Sequence, residues 1–248
     1  MIKLLNNLLI IIISLISCSD SNSNRNANAP ATQSNNPAAQ SIAIVSKAIG
    51  DVKYKKKSDK ELKKTLKFGI DLYNNDYIKT GEDGFAKYTY VDDGTQIKVH
   101  NNSEVYIRGE INRKSIIKQL KVDRGTIKLE IKKQTVDEFT VITPTSVASV
   151  KGTSFWLDCS GKDGDKFYGE SGLVSIQNRE SGQITDLKKN KTASSLPDGT
   201  LNVRDMTPDE LEMLENIEEE TGESGDSNKG DGTFEINPEA IIRELKDK

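Results

Sequence analysis

Gly84-Phe85-Ala86-Lys87-Tyr88-Thr89-Tyr90, the turn Asp92-Asp93-Gly94, and Thr95-Gln96-Ile97-Lys98-Val99-His100 form the passage from which the architecture follows. Ala86, Tyr88 and Tyr90 share one phase, and Lys87 and Thr89 the other. Ile97 and Val99 alternate in the same way with Lys98 and His100. A period of two is the signature of strands with one buried and one solvated face. The Asp-Asp-Gly between them supplies turn residues.

The pattern continues outward in both directions. Gly50-Asp51-Val52-Lys53-Tyr54 reads as the opening strand, and 55–64 as an exposed basic loop. Downstream, Val105 and Ile107, then Leu120 and Val122, then Ile127, Leu129 and Ile131 keep the alternation. Phe139 to Ile142, Val147 to Val150, Phe155-Trp156-Leu157, Phe167-Tyr168, Leu173 to Ile176 and Ile184 to Leu187 are more continuously apolar, as expected of strands covered on both sides. Strands at such short spacing imply an all-β fold, either a β-solenoid or a β-sandwich-like domain. No strict period of 20–50 residues marks a consensus repeat.

Around this body, expected at 41–205, the chain changes character. Lys3, the apolar run Leu8 to Ile13, and Leu15-Ile16-Ser17-Cys18 have the layout of a secretory signal and resemble a bacterial lipobox. The run is too short for a membrane span, which needs about 20 residues. The expectation is removal of residues 1–17 and acylation of Cys18, with palmitate-type chains anchoring the protein to a membrane. One chain holds weakly and two or more hold firmly, at about 0.8 kcal/mol per buried CH₂. Residues 18–40, rich in Ser, Asn, Ala and Pro, read as a flexible tether spanning roughly 25 Å. The expected location is the bacterial cell envelope, facing the periplasm or the exterior.

The C-terminal segment, 206–248, reads as an acidic helical tail with a polar linker at 221–233. Thr207-Pro208-Asp209-Glu210 is a helix start with the elements of a capping box. Met206 and Leu211 are spaced for a hydrophobic staple, Leu211, Leu214 and Ile217 form a thin apolar stripe, and Gly222 can end the helix. A second short helix is expected from Asn237-Pro238-Glu239. Such thin stripes need a surface to dock on, for which the β domain is the first choice.

Charge divides the same way. The whole chain has formal charge −3. Residues 41–205 hold 29 Lys and Arg against 23 Asp and Glu, whereas 206–248 hold 4 against 14. Solvated surface is the plainer explanation. The alternative is an acidic tail folded over a basic face, or a basic face that meets an anionic envelope polymer or headgroup.

The residues offer little reactive chemistry. With Cys18 acylated, Cys159 stands alone, so no intramolecular disulfide is expected, and it reads as a half-buried strand residue. The single histidine, His100, falls on the polar phase and is expected in solvent. No zinc set or nucleophile triad can be assembled. Asp226 to Gly232 is only faintly similar to a calcium loop, lacking the closing glutamate. No catalytic residue, metal or cofactor is expected, and no nucleic acid partner. Trp156 reads as core, with an exposed glycan-stacking face of Tyr88, Tyr90 and Trp156 as the alternative.

Three stretches carry a resemblance. They are Gly69 to Leu72 with Asn75 to Gly81 and Gly84 to Tyr88; Asp93 to Val99 with Ser103 to Val105; and Thr143-Pro144-Thr145 with Val150 to Phe155, closed by Glu170 to Val174. In order and spacing they resemble the FecR domain, named for regulators of ferric citrate uptake. The resemblance implies an all-β, solenoid- or sandwich-like envelope module with no catalytic residue, here followed by short C-terminal helices. Its glycines and Pro144 read as turn and corner signals. Those regulators carry a cytoplasmic anti-sigma segment and a transmembrane helix, and this chain resembles instead the stand-alone lipoproteins that carry the domain. The expected role is a non-enzymatic binding or scaffolding module for an envelope protein or glycan. The alternative is a sensor relaying to a separate transmembrane regulator.

Overall fold

The computed structural model describes residues 40–222 apart from 63, 114, 136, 161 and 162. The leader, Cys18, the calcium-like loop and the second tail helix lie outside the described residues. Seventeen strands and one helix are found among those described.

The strands form two sheets. Sheet A runs β4 (Asp71–Leu72), β1 (Ala43–Ile49), β6 (Phe85–Tyr90), β7 (Gln96–Val99), the C-terminal half of β9 (Ser115–Ile131), β12 (Thr153–Cys159), β13 (Asp165–Ser171), β16 (Lys191–Ser195) and β17 (Leu201–Asp205). Sheet B runs β3 (Lys64–Thr65), β2 (Val52–Lys55), β5 (Asp76–Thr80), β8 (Glu104–Asn112), the N-terminal half of β9, β10 (Phe139–Ile142), β11 (Ser146–Val150), β14 (Leu173–Asn178) and β15 (Ile184–Lys188). All pairings are antiparallel except β9 with β10. Inside the expected 41–205 body one further strand, β1, precedes the Gly50-Asp51 corner that reads as the opening. The two-residue strands β3 and β4 keep one edge of each sheet short, which discourages edge pairing.

β9 explains how the sheets face each other. Ile116, Leu120 and Val122 point inward from its first half, and Ile127, Leu129 and Ile131 from its second. The inward phase therefore changes from even to odd. The change falls at Arg124-Gly125-Thr126, where a bulge skips Asp123 opposite β8 and Gly125 has φ +106°. A Cβ on Gly125 would lie 2.1 Å from Ser103 Oγ, so the bend needs glycine. One buried core then draws on both sheets: Tyr88, Tyr90, Ile97, Phe155 and Phe167 from sheet A meet Ile78, Ile107, Leu120, Phe139 and Val141 from sheet B. Tyr90 and Phe139 touch edge to face across the gap, with centroids 5.7 Å apart. This is the sandwich-like form of the all-β expectation.

Two polar knots close the ends of the core. Lys118, on the inward phase of β9, is buried and paired with Asp92 at 2.7 Å and Asp93 at 3.0 Å, so the Asp-Asp-Gly turn is also a counter-ion. Asp165 is 1% exposed, and the hydroxyls of Thr143, Thr145 and Ser146 all donate to its Oδ2. The Thr-Pro-Thr motif thus holds a buried carboxylate at the start of β13. Cys159 is buried in β12 beside the Asp123 carbonyl.

Candidate functional site

The outward phase of sheet A assembles a row that no single strand reveals. Cross-strand register places Lys47 beside Lys87, Lys87 beside Lys98, and Lys98 beside Lys128. It continues with Lys128 beside Trp156, Trp156 beside Tyr168, Tyr168 beside Thr192, and Thr192 beside Arg204. Four lysines on four adjacent strands therefore run into an aromatic pair and end at an arginine. Like charges directly opposite each other destabilise a sheet, so this ladder calls for an anion.

Glu130 and Glu170 on the sheet supply part of it, 3.0 Å from Lys98 and 3.2 Å from Lys128, and α1 (Pro208–Glu220), which lies across the row, supplies the rest. Seven of its thirteen residues are Asp or Glu and none is basic. Thr207 caps it with the expected box: the Glu210 amide donates to Thr207 Oγ1, and the Thr207 amide donates to Glu210 Oε2. Three contacts fix it at successive turns. At its start, Arg204 donates to both Glu210 oxygens, at 2.8 and 2.5 Å, and Thr192 donates at 3.0 Å. One turn on, Leu214 is buried against Trp156 and Tyr168, with Met206 and Ile217 beside it. Another turn on, the Glu218 carboxylate accepts from Lys98 at 2.7 Å and Lys128 at 2.6 Å. Beyond the helix, Lys47 donates to the Thr221 carbonyl at 2.9 Å, a cation at the negative end of the helix dipole. Leu211 is half exposed, so the predicted stripe is seated through Leu214 and Ile217.

The electrostatics follow from this covering. The Lys98 and Lys128 side chains are 6% exposed. Burial opposes the charge on Lys98, and its contacts with Glu218 and Glu130 outweigh that, holding the ammonium above its ordinary range. Burial likewise disfavours the Glu218 carboxylate, but Lys128 and Lys98 keep it below the usual range. Arg204 holds Glu210 lower still, at about 2. Lys128 also sits 5.2 Å over the Trp156 ring.

The alternative stacking face and the solvated His100 are not what the structure shows. Tyr88 and Tyr90 are fully buried, and Trp156 is 3% exposed under α1. They form no exposed stacking face: the two tyrosines point between the sheets, and Trp156 points out only to meet Leu214. His100 is not solvated either. It packs between Phe85 and Trp156, with centroids at 5.2 and 5.0 Å, because the outer phase of this strand is covered. The acidic tail over a basic face, the less favoured reading of the charge split, is what Glu210 and Glu218 do. Among the described residues no group of three or more His, Cys, Asp or Glu is placed to hold a metal ion, and no helix is long and apolar enough to cross a membrane.

Residues 76–167 match the family model described as FecR protein, which takes in the second motif and most of the first and third but not Gly69 to Leu72 or Glu170 to Val174. The match runs from β5 into β13, the strands that flank β9 in both sheets. A comparison with curated proteins finds no match. Two crystal structures described as a candidate anti-sigma factor from Parabacteroides distasonis are similar in part. One aligns at 16% identity and TM-score 0.47, the other at 17% and 0.46. Each alignment covers 56% of this chain and 64% of the other, so less than two thirds of those proteins is matched.

Proposed function

We propose that this protein is a non-enzymatic binding module of the bacterial cell envelope, tethered to a membrane through acylated Cys18 and engaging another envelope component through its β domain. The FecR match over 76–167, which takes in β9 and its neighbours in both sheets, carries this reading. The lipobox-like start and the sparse chemistry of the site support it.

The test has two parts. Detergent phase partitioning of the wild type and Cys18→Ala should move the variant from the detergent to the aqueous phase. Equal partitioning removes the anchor. Crosslinking in intact cells should then recover a reproducible envelope partner with the wild type, and turnover of an envelope substrate that maps to one side chain overturns the non-enzymatic reading.

A second reading, signalling through a separate transmembrane regulator, is favoured by the regulators for which the FecR domain is named. Loss of the protein would then change a defined transcript set, and an unchanged transcriptome removes it.

A further inference from the structure

The ladder under α1 is built to a pattern that α1 meets with three residues. Arg204 and Thr192 take an acid, Trp156 and Tyr168 take an apolar side chain, and Lys98 with Lys128 takes a second acid. Glu210, Leu214 and Glu218 supply these at four-residue steps along one helix face. The helix contributes little else. Leu214 is its one buried residue, and Leu211 and Met213 are 50% and 38% exposed. A helix of thirteen residues is marginal alone, so its place depends on these contacts.

We propose that this face is a docking surface for an acidic amphipathic helix of a partner protein, with the pattern acid-x₃-apolar-x₃-acid, and that α1 is the internal occupant such a helix displaces. The proposal rests on the binding-module reading and names its surface and the chemistry of its partner. Charge complementarity selects the occupant. The lysines at 98 and 128 are almost wholly covered and directly opposed, and Glu218 bridges them more closely than the sheet's own Glu130 and Glu170 reach either. Lys47 and Lys87 continue the same row beyond them. α1 is joined in sequence to β17, so it competes at high effective concentration, and a partner must match its pattern to replace it.

The experiment uses the full chain and a fluorescent peptide of residues 206–222. In the wild type the internal helix holds the face, and the peptide binds weakly. Leu214→Ala combined with Glu218→Gln loosens α1 without touching the sheet, and peptide affinity should rise by about tenfold as the competent face becomes populated. Lys98→Gln with Lys128→Gln in that background should abolish the gain. A scrambled peptide of equal charge should not bind. Should the double variant lose its β-sheet circular dichroism, Glu210→Gln, which loosens the other end of α1, gives the same readout. Equal affinity for wild type and loosened chain overturns the proposal. So does equal displacement by a poly-glucuronate chain, which would mean that charge and not a helix is recognised. Dimerisation of the loosened variant by helix exchange between copies also overturns it. None of these readouts depends on Cys18 or on crosslinked partners, so failure here is distinct from failure of the binding-module reading.

Discussion

Replacing Glu218 with glutamine tests whether the lysine ladder needs its lid. The carboxylate bridges Lys98 and Lys128 at 2.7 and 2.6 Å, and both lysine side chains are 6% exposed. Removing one partner of a buried ion pair costs about 3–5 kcal/mol, because a charge is left without compensation. Two features reduce that figure. Glu130 lies 3.0 Å from Lys98 and Glu170 3.2 Å from Lys128, and both are partly solvated. The helix can also lift, letting water reach the lysines. The loss then cannot exceed what docking contributes, of which burial of Leu214 is about 1.5–3 kcal/mol. The expected loss is therefore about 2–3 kcal/mol if α1 unfolds with the domain. For a domain of this size that lowers Tm by roughly 5–10 °C. Urea denaturation supplies the free energy, and amide exchange along α1 shows whether the helix opens first. Making the same change in a Lys128→Met background should cost under about 1 kcal/mol, since one fewer cation is stranded. A loss below about 0.5 kcal/mol with α1 amides still protected would put the bridge among ordinary surface ion pairs and refute the reasoning.

Acid should release α1. The Glu210 and Glu218 carboxyls are held below their usual range in the folded protein, so their contribution is present above the unfolded value near 4.5 and is lost as pH falls below it, for Glu210 through about 2. After allowance for solvent around Arg204, Glu210 accounts for about 1 kcal/mol of this, and exchange of α1 amides between pH 5 and 2.5 checks it. Gly125→Ala should cost more than about 3 kcal/mol in urea denaturation, because its Cβ would strike Ser103 at a backbone angle that suits glycine. Asp165→Ala should cost about 2–4 kcal/mol by thermal denaturation, since it leaves the hydroxyls of Thr143, Thr145 and Ser146 without their shared acceptor.

Much of the scaffold was legible because it is written locally. Period two at Ala86 to Tyr90, Ile97 to Val99 and Ile127 to Ile131 names strands and their inner faces without reference to distant residues. The capping box at Thr207 and Glu210 likewise lies within one turn. The site was illegible for the opposite reason. Lys47, Lys87, Lys98 and Lys128 each read as the wet phase of their own strand, and each does point away from the core. Only the register of four separate pairings makes them neighbours, and only a helix some ninety residues beyond Lys128 covers them. The same covering misplaced His100, whose outward phase normally means solvent, whereas Trp156 is core, as the sequence reading has it. The charge split between 41–205 and 206–248 and the thin Leu211, Leu214, Ile217 stripe, which needed a surface such as the β domain, were the sequence-level traces of the contact.

The shared strand β9 has a consequence for synthesis. Everything before it pairs on one side of β9 in both layers, and everything after it on the other. A nascent chain that has just delivered residue 131 could complete half of each layer, with the whole length of β9 left as a raw, unpaired border on both. That border invites pairing with a neighbouring chain until β10 and β12 arrive. Folding of such a chain is safest when the first half of the domain stays extended until those strands have followed.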